Sequence, residues 1–347
     1  MVTGGRSTAS RAVADKFRPA WWLPGRHLQT VWSRVLRRGP RVALRRETWE
    51  TPDGDELHLD RVDGPEGAPL LLALHGLEGC SDSLYMHGLL HLARERGWRG
   101  IALNFRSCAR PAGGPKGSYL MNRRSRLYHM GETSDLDWVV GTLASSEPGT
   151  ELVLTGVSMG GNVLLKWLGE RGASVPPVVR GAVTISAPYD LAAAADHLET
   201  GLGPYYVRYF LGTLKEKALD YATRHPGVVD VEGVRRARGF REYDDAAVAP
   251  IHGFADAADY YARSSSLPFL SGIRVPTLLM SAADDPFLPR RVLEEARRAA
   301  SPEVSCLFPE AGGHVGFVEG PPWAARSWAE ARAVEFLAGC LEGAGRD

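Results

Sequence analysis

The chain has few cysteines and shows no cofactor motif. Only four cysteines occur among its 347 residues, namely Cys80, Cys108, Cys306 and Cys340. Their scattered spacing matches neither a disulfide framework nor a zinc-ligand set, so we expect free thiols in a reducing compartment. The sequence contains no P-loop, no dinucleotide-binding fingerprint and no internal repeat. We therefore predict no metal and no other cofactor.

Long hydrophobic runs and net charge are also lacking. No apolar stretch approaches the about 20 residues of a membrane span, and residues 1–30 contain no signal-peptide core. These absences predict a cytoplasmic protein without a transmembrane segment. Lysine and arginine together number 41, as do aspartate and glutamate, so no overall field favours a nucleic-acid partner. Hydrophobic residues at 44% and charged residues at 24% are typical of a globular protein.

Apolar strands alternate with helical patterns along most of the chain. A β-hairpin is predicted over residues 48–62. Later strands are predicted near 69–75, 99–105, 151–155, 180–187, 275–281 and 303–308. Helical patterns are predicted near 83–96, 133–146, 161–171, 290–300 and 322–342. This alternation predicts an α/β fold with a mostly parallel, doubly wound sheet.

One long insertion interrupts the alternation. About 80 residues stand between two predicted strands where a short crossover would suffice, and we expect them to form a helical cap. The predicted organisation is therefore an N-terminal arm at 1–46, a first core segment at 47–190, the cap at 191–271 and a second core segment at 272–347.

A candidate nucleophile stands between a strand and a helix. Gly156-Val157-Ser158-Met159-Gly160 follows an apolar run and precedes a helical pattern. This is the context of a nucleophile elbow, in which a strained turn presents the serine at the end of a strand. Because the chain holds 39 glycines, an ordinary turn could produce the same letters. The remainder of the sequence has to decide between the two interpretations.

Two further segments supply an acid and a base. Asp284 and Asp285 follow one predicted strand, and His314 follows another with glycines before and after it. The chain order serine, aspartate, histidine is that of α/β-hydrolases. A serine hydroxyl needs a histidine to remove its proton, and a carboxylate fixes the histidine tautomer. We predict Ser158, Asp285 and His314 as the triad, with Asp284 as the alternative acid.

An oxyanion hole is predicted from backbone amides. One N–H comes from Met159, the residue after the nucleophile. The other comes from the loop after an early apolar strand, at Leu77. His75 in this loop either braces the turn or takes a direct part. No substrate-binding residues are predicted.

Several stretches of the sequence resemble a known family. They lie at 26–30, 75–79, 104–108, 156–162 and 284–287. Together they are similar to the YheT/EMB8 branch of the α/β-hydrolase superfamily, the "AB hydrolase 4" family. The resemblance implies the α/β-hydrolase fold and a serine esterase or lipase-like activity, with Ser158, Asp285 and His314 at the triad positions. Ser107 departs from the family, since similar proteins often have glycine there.

The expected function follows from the triad and the resemblance. We expect a serine hydrolase of the carboxylesterase or lipase type that cleaves short- to medium-chain carboxylic esters through an acyl-enzyme. Transfer of a medium-chain acyl group to an alcohol is an alternative, because some relatives resemble acyltransferases. A non-catalytic ligand-binding protein on the same fold is another. The expected partner is a small ester or an acyl lipid, and the oligomeric state is open.

The N-terminal arm is basic and aromatic. Residues 1–46 carry eleven lysines and arginines but one acid, Asp15. Together with Trp21, Trp22 and Trp32, this composition suits peripheral contact with an anionic membrane surface. The alternative, which we favour, is a disordered tip of about 15 residues followed by an arm that packs its tryptophans on the core.

Overall fold

The computed structural model describes residues 16–111, 114, 117–124 and 126–344. Its main sheet has eight strands: β1 (Arg45–Glu50), β2 (Glu56–Val62), β3 (Leu70–Leu74), β4 (Arg99–Asn104), β5 (Leu152–Val157), β6 (Val179–Ile185), β7 (Thr277–Met280) and β8 (Val304–Leu307). The spatial order is β1-β2-β4-β3-β5-β6-β7-β8. The hairpin pairs antiparallel, β2 pairs antiparallel with β4, and all later pairs are parallel. The α/β-hydrolase prediction is therefore confirmed.

Helices cover both faces of the sheet. They are α2 (Leu84–Glu95), α3 (Ser134–Ser146), α4 (Met159–Arg171), α11 (Arg290–Ala299) and α12 (Trp328–Ala344). The side chains of β3 explain this layering, because all five are buried and successive ones point to opposite faces. Leu70 and Leu72 belong to the apolar cluster that includes α3, α4 and α11, whereas Leu71 belongs to the cluster with α2 and α12.

Six α-helices and one π-helix (Asp244–Val248) separate β6 from β7. The α-helices are α5 (Leu191–His197), α6 (Gly203–Arg224), α7 (Val231–Arg236), α8 (Phe240–Tyr243), α9 (Ala249–His252) and α10 (Ala257–Ser264), and a 3-10 helix follows at Leu267–Gly272. Buried residues of this insertion, including Leu214, Tyr221 and Val234, form an apolar cluster. Leu77 and Phe287 of the sheet loops pack against that cluster, so the insertion lies over the ends of the strands.

The last helix begins later than the sequence indicates. A 3-10 turn (Pro322–Ala324) and a short strand β10 (Arg326–Ser327) occupy the start of the predicted segment. β10 pairs with β9 (Val318–Glu319), so His314 does not follow the last strand of the chain. Two successive prolines, Pro321 and Pro322, remove backbone donors and delay the helix. Strands of two residues are too short to produce a recognisable alternation in sequence.

The described part of the N-terminal arm packs on the core. Phe17 contacts the rings of Phe317 and Trp328 at centroid distances of 5.7 and 5.3 Å. Trp22 meets Trp32 edge to face, and both pack against a buried cluster. Trp21 is 77% exposed, so the expected packing of the tryptophans is wrong for this residue. A short helix α1 (Arg26–Val31) lies between Trp22 and Trp32. The predicted disordered tip lies at residues 1–15, outside the described residues.

Candidate active site

Ser158 occupies the turn between β5 and α4. Its backbone has φ 53° and ψ −118°, a left-handed conformation that non-glycine residues rarely adopt. The turn also brings backbones into close contact. A Cβ on Gly156 would lie 2.4 Å from the carbonyl oxygen of Gly160, and one on Gly160 would lie 2.6 Å from that of His75. Both glycines are therefore required for this approach, as the elbow motif predicts.

The structure brings Ser158, His314 and Asp285 into one hydrogen-bonded chain. His314 Nε2 lies 2.9 Å from Ser158 Oγ. His314 Nδ1 lies 2.9 and 3.1 Å from the two carboxylate oxygens of Asp285. A carboxylate can only accept, so Nδ1 donates and the lone pair of Nε2 faces the serine hydroxyl. The Asp285 side chain is 1% exposed and that of His314 is 9% exposed.

Asp284 has a different position from its neighbour. Its Oδ1 accepts a hydrogen bond of 2.9 Å from the backbone N–H of Gly313. Burial raises the pKa of the Asp284 carboxyl above its ordinary value. Asp284 therefore shapes the loop that carries His314, while Asp285 contacts the histidine ring.

Phe287 and Thr30 hold the histidine and the aspartate in place. The Phe287 ring stacks on the His314 ring with centroids 4.0 Å apart and an interplanar angle of 11°. Its backbone N–H also donates to Asp285 Oδ1 at 2.8 Å. Thr30 Oγ1 accepts from the His314 backbone N–H at 2.9 Å. Neither residue has a role predicted from sequence, although both lie in stretches that resemble the family.

The two predicted oxyanion amides belong to segments that adjoin the nucleophile. Met159 is the first residue of α4, so its N–H has no acceptor within the helix. Leu77 follows Gly76, where a Cβ would lie 3.2 Å from that of Ser158. Gly76 N–H donates to the hydroxyl of Tyr85 at 2.9 Å, which fixes the loop. An oxyanion hole built from the N–H groups of Leu77 and Met159 stays a prediction.

His75 braces this loop and stays uncharged. Its Nε2 accepts from the Phe105 backbone N–H at 3.1 Å, so Nδ1 carries the proton and donates to the Gly76 carbonyl at 2.8 Å. Burial lowers the pKa of His75 to about 4. Of the two roles open for His75, these contacts favour bracing.

A buried ion pair joins the oxyanion loop to the insertion. Lys217 Nζ on α6 lies 2.8 Å from Glu78 Oε1, and each side chain is 5% exposed. Tyr128 donates its hydroxyl proton to the same carboxylate oxygen at 2.5 Å. Burial acts to raise the pKa of Glu78, but Lys217 and Tyr128 outweigh it and lower that pKa. The pair thus remains charged next to Leu77.

Two cavities meet at Ser158 and His314. The inner cavity lies between the core and the insertion, and its walls include Met130, Leu191, Leu214, Tyr260 and Tyr261. The outer cavity lies between the N-terminal arm and α6, and its walls include Val31, Val35, Tyr205, Tyr206 and Tyr209. Leu77, Phe210 and Phe287 line both cavities. Both cavities therefore reach the nucleophile.

Grouped metal ligands and membrane-spanning helices are both absent from the described residues. Within residues 16–111, 114, 117–124 and 126–344, no three histidine, cysteine, aspartate or glutamate side chains are grouped as a metal site would require. Over the same part of the chain, no helix is long and apolar enough to cross a membrane. The four cysteines are free.

Comparisons with known proteins agree with the fold. A model of the alpha/beta hydrolase fold matches residues 69–321. "Putative esterase YheT" of Escherichia coli (strain K12) is 38% identical over 321 residues, 91% of this chain and 91% of that protein. Phospholipase ABHD3 of Homo sapiens is 30% identical over 336 residues, 92% of this chain and 79% of that protein. The solved esterase Pf2001 of Pyrococcus furiosus gives a TM-score of 0.54 at 17% identity, covering 86% of this chain and 96% of that one, and shows the fold alone.

Proposed function

The chain belongs to the α/β-hydrolase fold family, in the branch that contains YheT and phospholipase ABHD3, and from this premise we propose that it is a serine carboxylesterase. An esterase- or lipase-like hydrolase is what the family indicates. Beyond this general activity, we propose that the protein cleaves short- to medium-chain carboxylic esters through a covalent acyl-enzyme.

Ser158 performs the first half of the proposed reaction. Its Oγ attacks the ester carbonyl carbon as its proton passes to His314 Nε2, and Asp285 stabilises the resulting imidazolium. The amides of Leu77 and Met159 bind the oxygen that becomes negatively charged. His314 then gives its proton to the departing alcohol oxygen, which leaves the acyl group bonded to Ser158.

Water completes the cycle. His314 Nε2 accepts a proton from a water molecule as the water oxygen attacks the acyl carbon. Return of that proton to Ser158 Oγ breaks the acyl–serine bond and releases the carboxylic acid. The enzyme ends in its starting state, and one ester and one water give one alcohol and one acid.

One observation carries the proposal. The serine hydroxyl, the imidazole and the carboxylate form a continuous relay with contacts of 2.9 Å at both ends of the ring, and the serine sits in a strained turn open to two cavities. Ser107 and Ser186 also have a positive φ, so the backbone strain at Ser158 supports the proposal only together with the relay.

The inner cavity is the proposed acyl site, and the helical insertion is the proposed cap. Apolar side chains from both core and insertion form most of its wall, which suits an alkyl chain. Phe210, Tyr260 and Tyr261 of the insertion line this cavity. Leu211 and Phe254 instead pack within apolar clusters of the insertion.

A series of p-nitrophenyl esters from acetate to dodecanoate tests the proposal. Wild type is expected to hydrolyse them with an optimum at short to medium chain length. Ser158→Ala is expected to lose the activity, and Ser145→Ala, at an exposed serine on α3, is expected to keep it. Equal rates of hydrolysis by wild type and Ser158→Ala would rule out Ser158 as the nucleophile.

Acyl transfer is a second candidate, and the outer cavity favours it. A second cavity that reaches Ser158 offers room for an acceptor alcohol beside the acyl group held in the inner one. Addition of a medium-chain alcohol to the assay distinguishes the two reactions. A new ester, detected by mass spectrometry, would indicate transfer, whereas free acid alone would indicate hydrolysis.

A further inference from the structure

Exposed apolar side chains are concentrated around one opening. Ten large apolar residues are exposed in the described part of the chain, and seven of them lie within residues 28–36 and 202–209. Tyr205, Val35, Leu36 and Tyr209 are 70, 67, 64 and 63% exposed. We call residues 28–38 and 202–209 the apolar rim. Single exposed apolar residues are ordinary, but a contiguous group marks a binding surface.

The two parts of the rim are in contact. The Arg34 side chain donates to the hydroxyl of Tyr209 at 3.4 Å and lies 5.1 Å from the centre of its ring. Tyr206 of the rim also shares a hydrogen bond of 2.9 Å with His27, the residue before the first rim segment. Val35, Tyr205 and Tyr209 line the outer cavity while remaining largely exposed, so the rim surrounds its mouth. Ser158 and His314 lie further inside the same cavity.

The rim carries positive charge and no carboxylate. Its charged residues are Arg34, Arg37, Arg38 and Arg208, and no aspartate or glutamate occurs in either segment. Arg37 is paired with Glu330, whereas Arg34, Arg38 and Arg208 are exposed. The whole chain has equal numbers of acidic and basic residues, so this excess is local.

We propose that the apolar rim docks on the surface of an anionic phospholipid bilayer, from which acyl substrates enter the outer cavity. Aliphatic side chains can insert among acyl chains, tyrosines suit the headgroup level, and arginines reach lipid phosphates. A protein partner would also bury the apolar side chains, but we commit to the bilayer because exposed arginines stand beside exposed aliphatic and tyrosine side chains at the mouth of a cavity that reaches Ser158. The docking stands independently of the catalytic proposal, whereas the entry of substrate rests on it.

Vesicle sedimentation with the Ser158→Ala protein tests the docking without turnover. We expect stronger binding to phosphatidylcholine vesicles that contain about a third phosphatidylglycerol than to phosphatidylcholine alone, and weaker binding in high salt. Arg38→Gln with Arg208→Gln is expected to weaken binding about 25-fold, or about fivefold for each arginine. Leu36→Ser with Leu202→Ser is expected to weaken it at least about tenfold on both vesicle types.

Matched control variants exist on other surfaces. Arg94 and Arg96 are exposed and precede β4. They therefore lie at the amino-terminal ends of the parallel strands, whereas Ser158 and the rim lie at the carboxyl ends. Val228 is exposed beyond the far end of α6. Arg94→Gln with Arg96→Gln, and Val228→Ser, are expected to bind vesicles as the parent does.

A soluble ester separates this proposal from the catalytic one. Leu36, Arg38, Leu202 and Arg208 line neither cavity, so with Ser158 intact their variants are expected to hydrolyse p-nitrophenyl acetate at the wild-type rate. Absence of vesicle binding, or equal binding by rim and control variants, would overturn the docking. A dimer that dissociates on Leu36→Ser with Leu202→Ser would overturn it in favour of a second copy of the chain.

Discussion

Lys217→Met tests the buried ion pair that joins the insertion to the oxyanion loop. Methionine preserves the length of the side chain but removes the positive charge. Glu78 would then remain 5% exposed beside the hydroxyl of Tyr128 and without a cation. Loss of one partner from a buried pair costs about 3 to 5 kcal/mol, because the remaining charge stays desolvated. We expect the free energy of unfolding to fall by about 4 kcal/mol.

A double variant tests whether the loss of stability comes from the unpaired carboxylate of Glu78. Glu78→Gln with Lys217→Met removes both charges, and we expect it to be more stable than Lys217→Met alone. Arg291→Met provides the control, since the exposed Arg291–Glu295 pair on α11 should be worth less than about 1 kcal/mol. Urea unfolding followed by tryptophan fluorescence measures all four proteins. The cost of an unpaired buried charge would be contradicted if Lys217→Met lost no more stability than Arg291→Met. It would also be contradicted if the double variant were less stable than Lys217→Met.

The remaining predictions concern the triad and one buried acid. Asp285→Asn is expected to lower kcat on p-nitrophenyl acetate by about four orders of magnitude by disturbing the histidine tautomer, and Asp284→Asn far less; equal losses would contradict the assignment. The Phe287 ring stabilises the protonated imidazole by about 1 kcal/mol, so Phe287→Leu should lower kcat about fivefold. Phe287→Tyr keeps a ring at this position and should keep the wild-type kcat. Burial raises the pKa of Asp244 from 3.8 to about 7. The folded state therefore holds this proton more tightly than the unfolded state, and stability should fall as pH rises from about 4 to 7. Asp244→Asn should match wild type in urea unfolding at pH 4 and exceed it at pH 8, by up to about 4 kcal/mol; equal curves at pH 8 would contradict this.

The strands and the elbow could be predicted from sequence because their signals are local. β3 to β7 are mostly apolar because both faces of these strands are buried, and the structure places β3 to β8 within a few residues of the predicted bounds. The edge strand β8 is half-buried throughout. The chain order of Ser158, Asp285 and His314 supplied candidate triad residues without any distance information.

The supports of the site could not be predicted because they join distant parts of the chain. Lys217 pairs with a glutamate 139 residues away, and Thr30 binds the backbone of a histidine 284 residues away. No local pattern distinguishes either residue from an ordinary surface or core position. The stacking of Phe287 on His314 likewise depends on how two loops meet.

Ser107 shows how a departure from the family pattern is accommodated. Its φ of 61° lies in the left-handed region that glycine adopts most readily, and similar proteins often have glycine there. Both the backbone N–H and the hydroxyl of Ser107 donate to the Asn122 side chain. These bonds offset the strain of the serine backbone, so the turn is retained.

The N-terminal arm was ambiguous in sequence because basic and aromatic residues suit both a core contact and a lipid surface. In the structure, Phe17 and Trp22 pack inward, whereas Val35 and Leu36 of the rim are exposed. Phe17 and Trp22 therefore meet the expectation of core packing, whereas Val35 and Leu36 suit contact with a lipid surface.

The most direct test of the central claim is the site of covalent modification by a fluorophosphonate probe, mapped by peptide mass spectrometry. We expect one adduct, on the peptide that contains Ser158, and no adduct in Ser158→Ala. Labelling at another residue, or an unlabelled wild type that still hydrolyses p-nitrophenyl esters, would contradict an acyl-enzyme at Ser158.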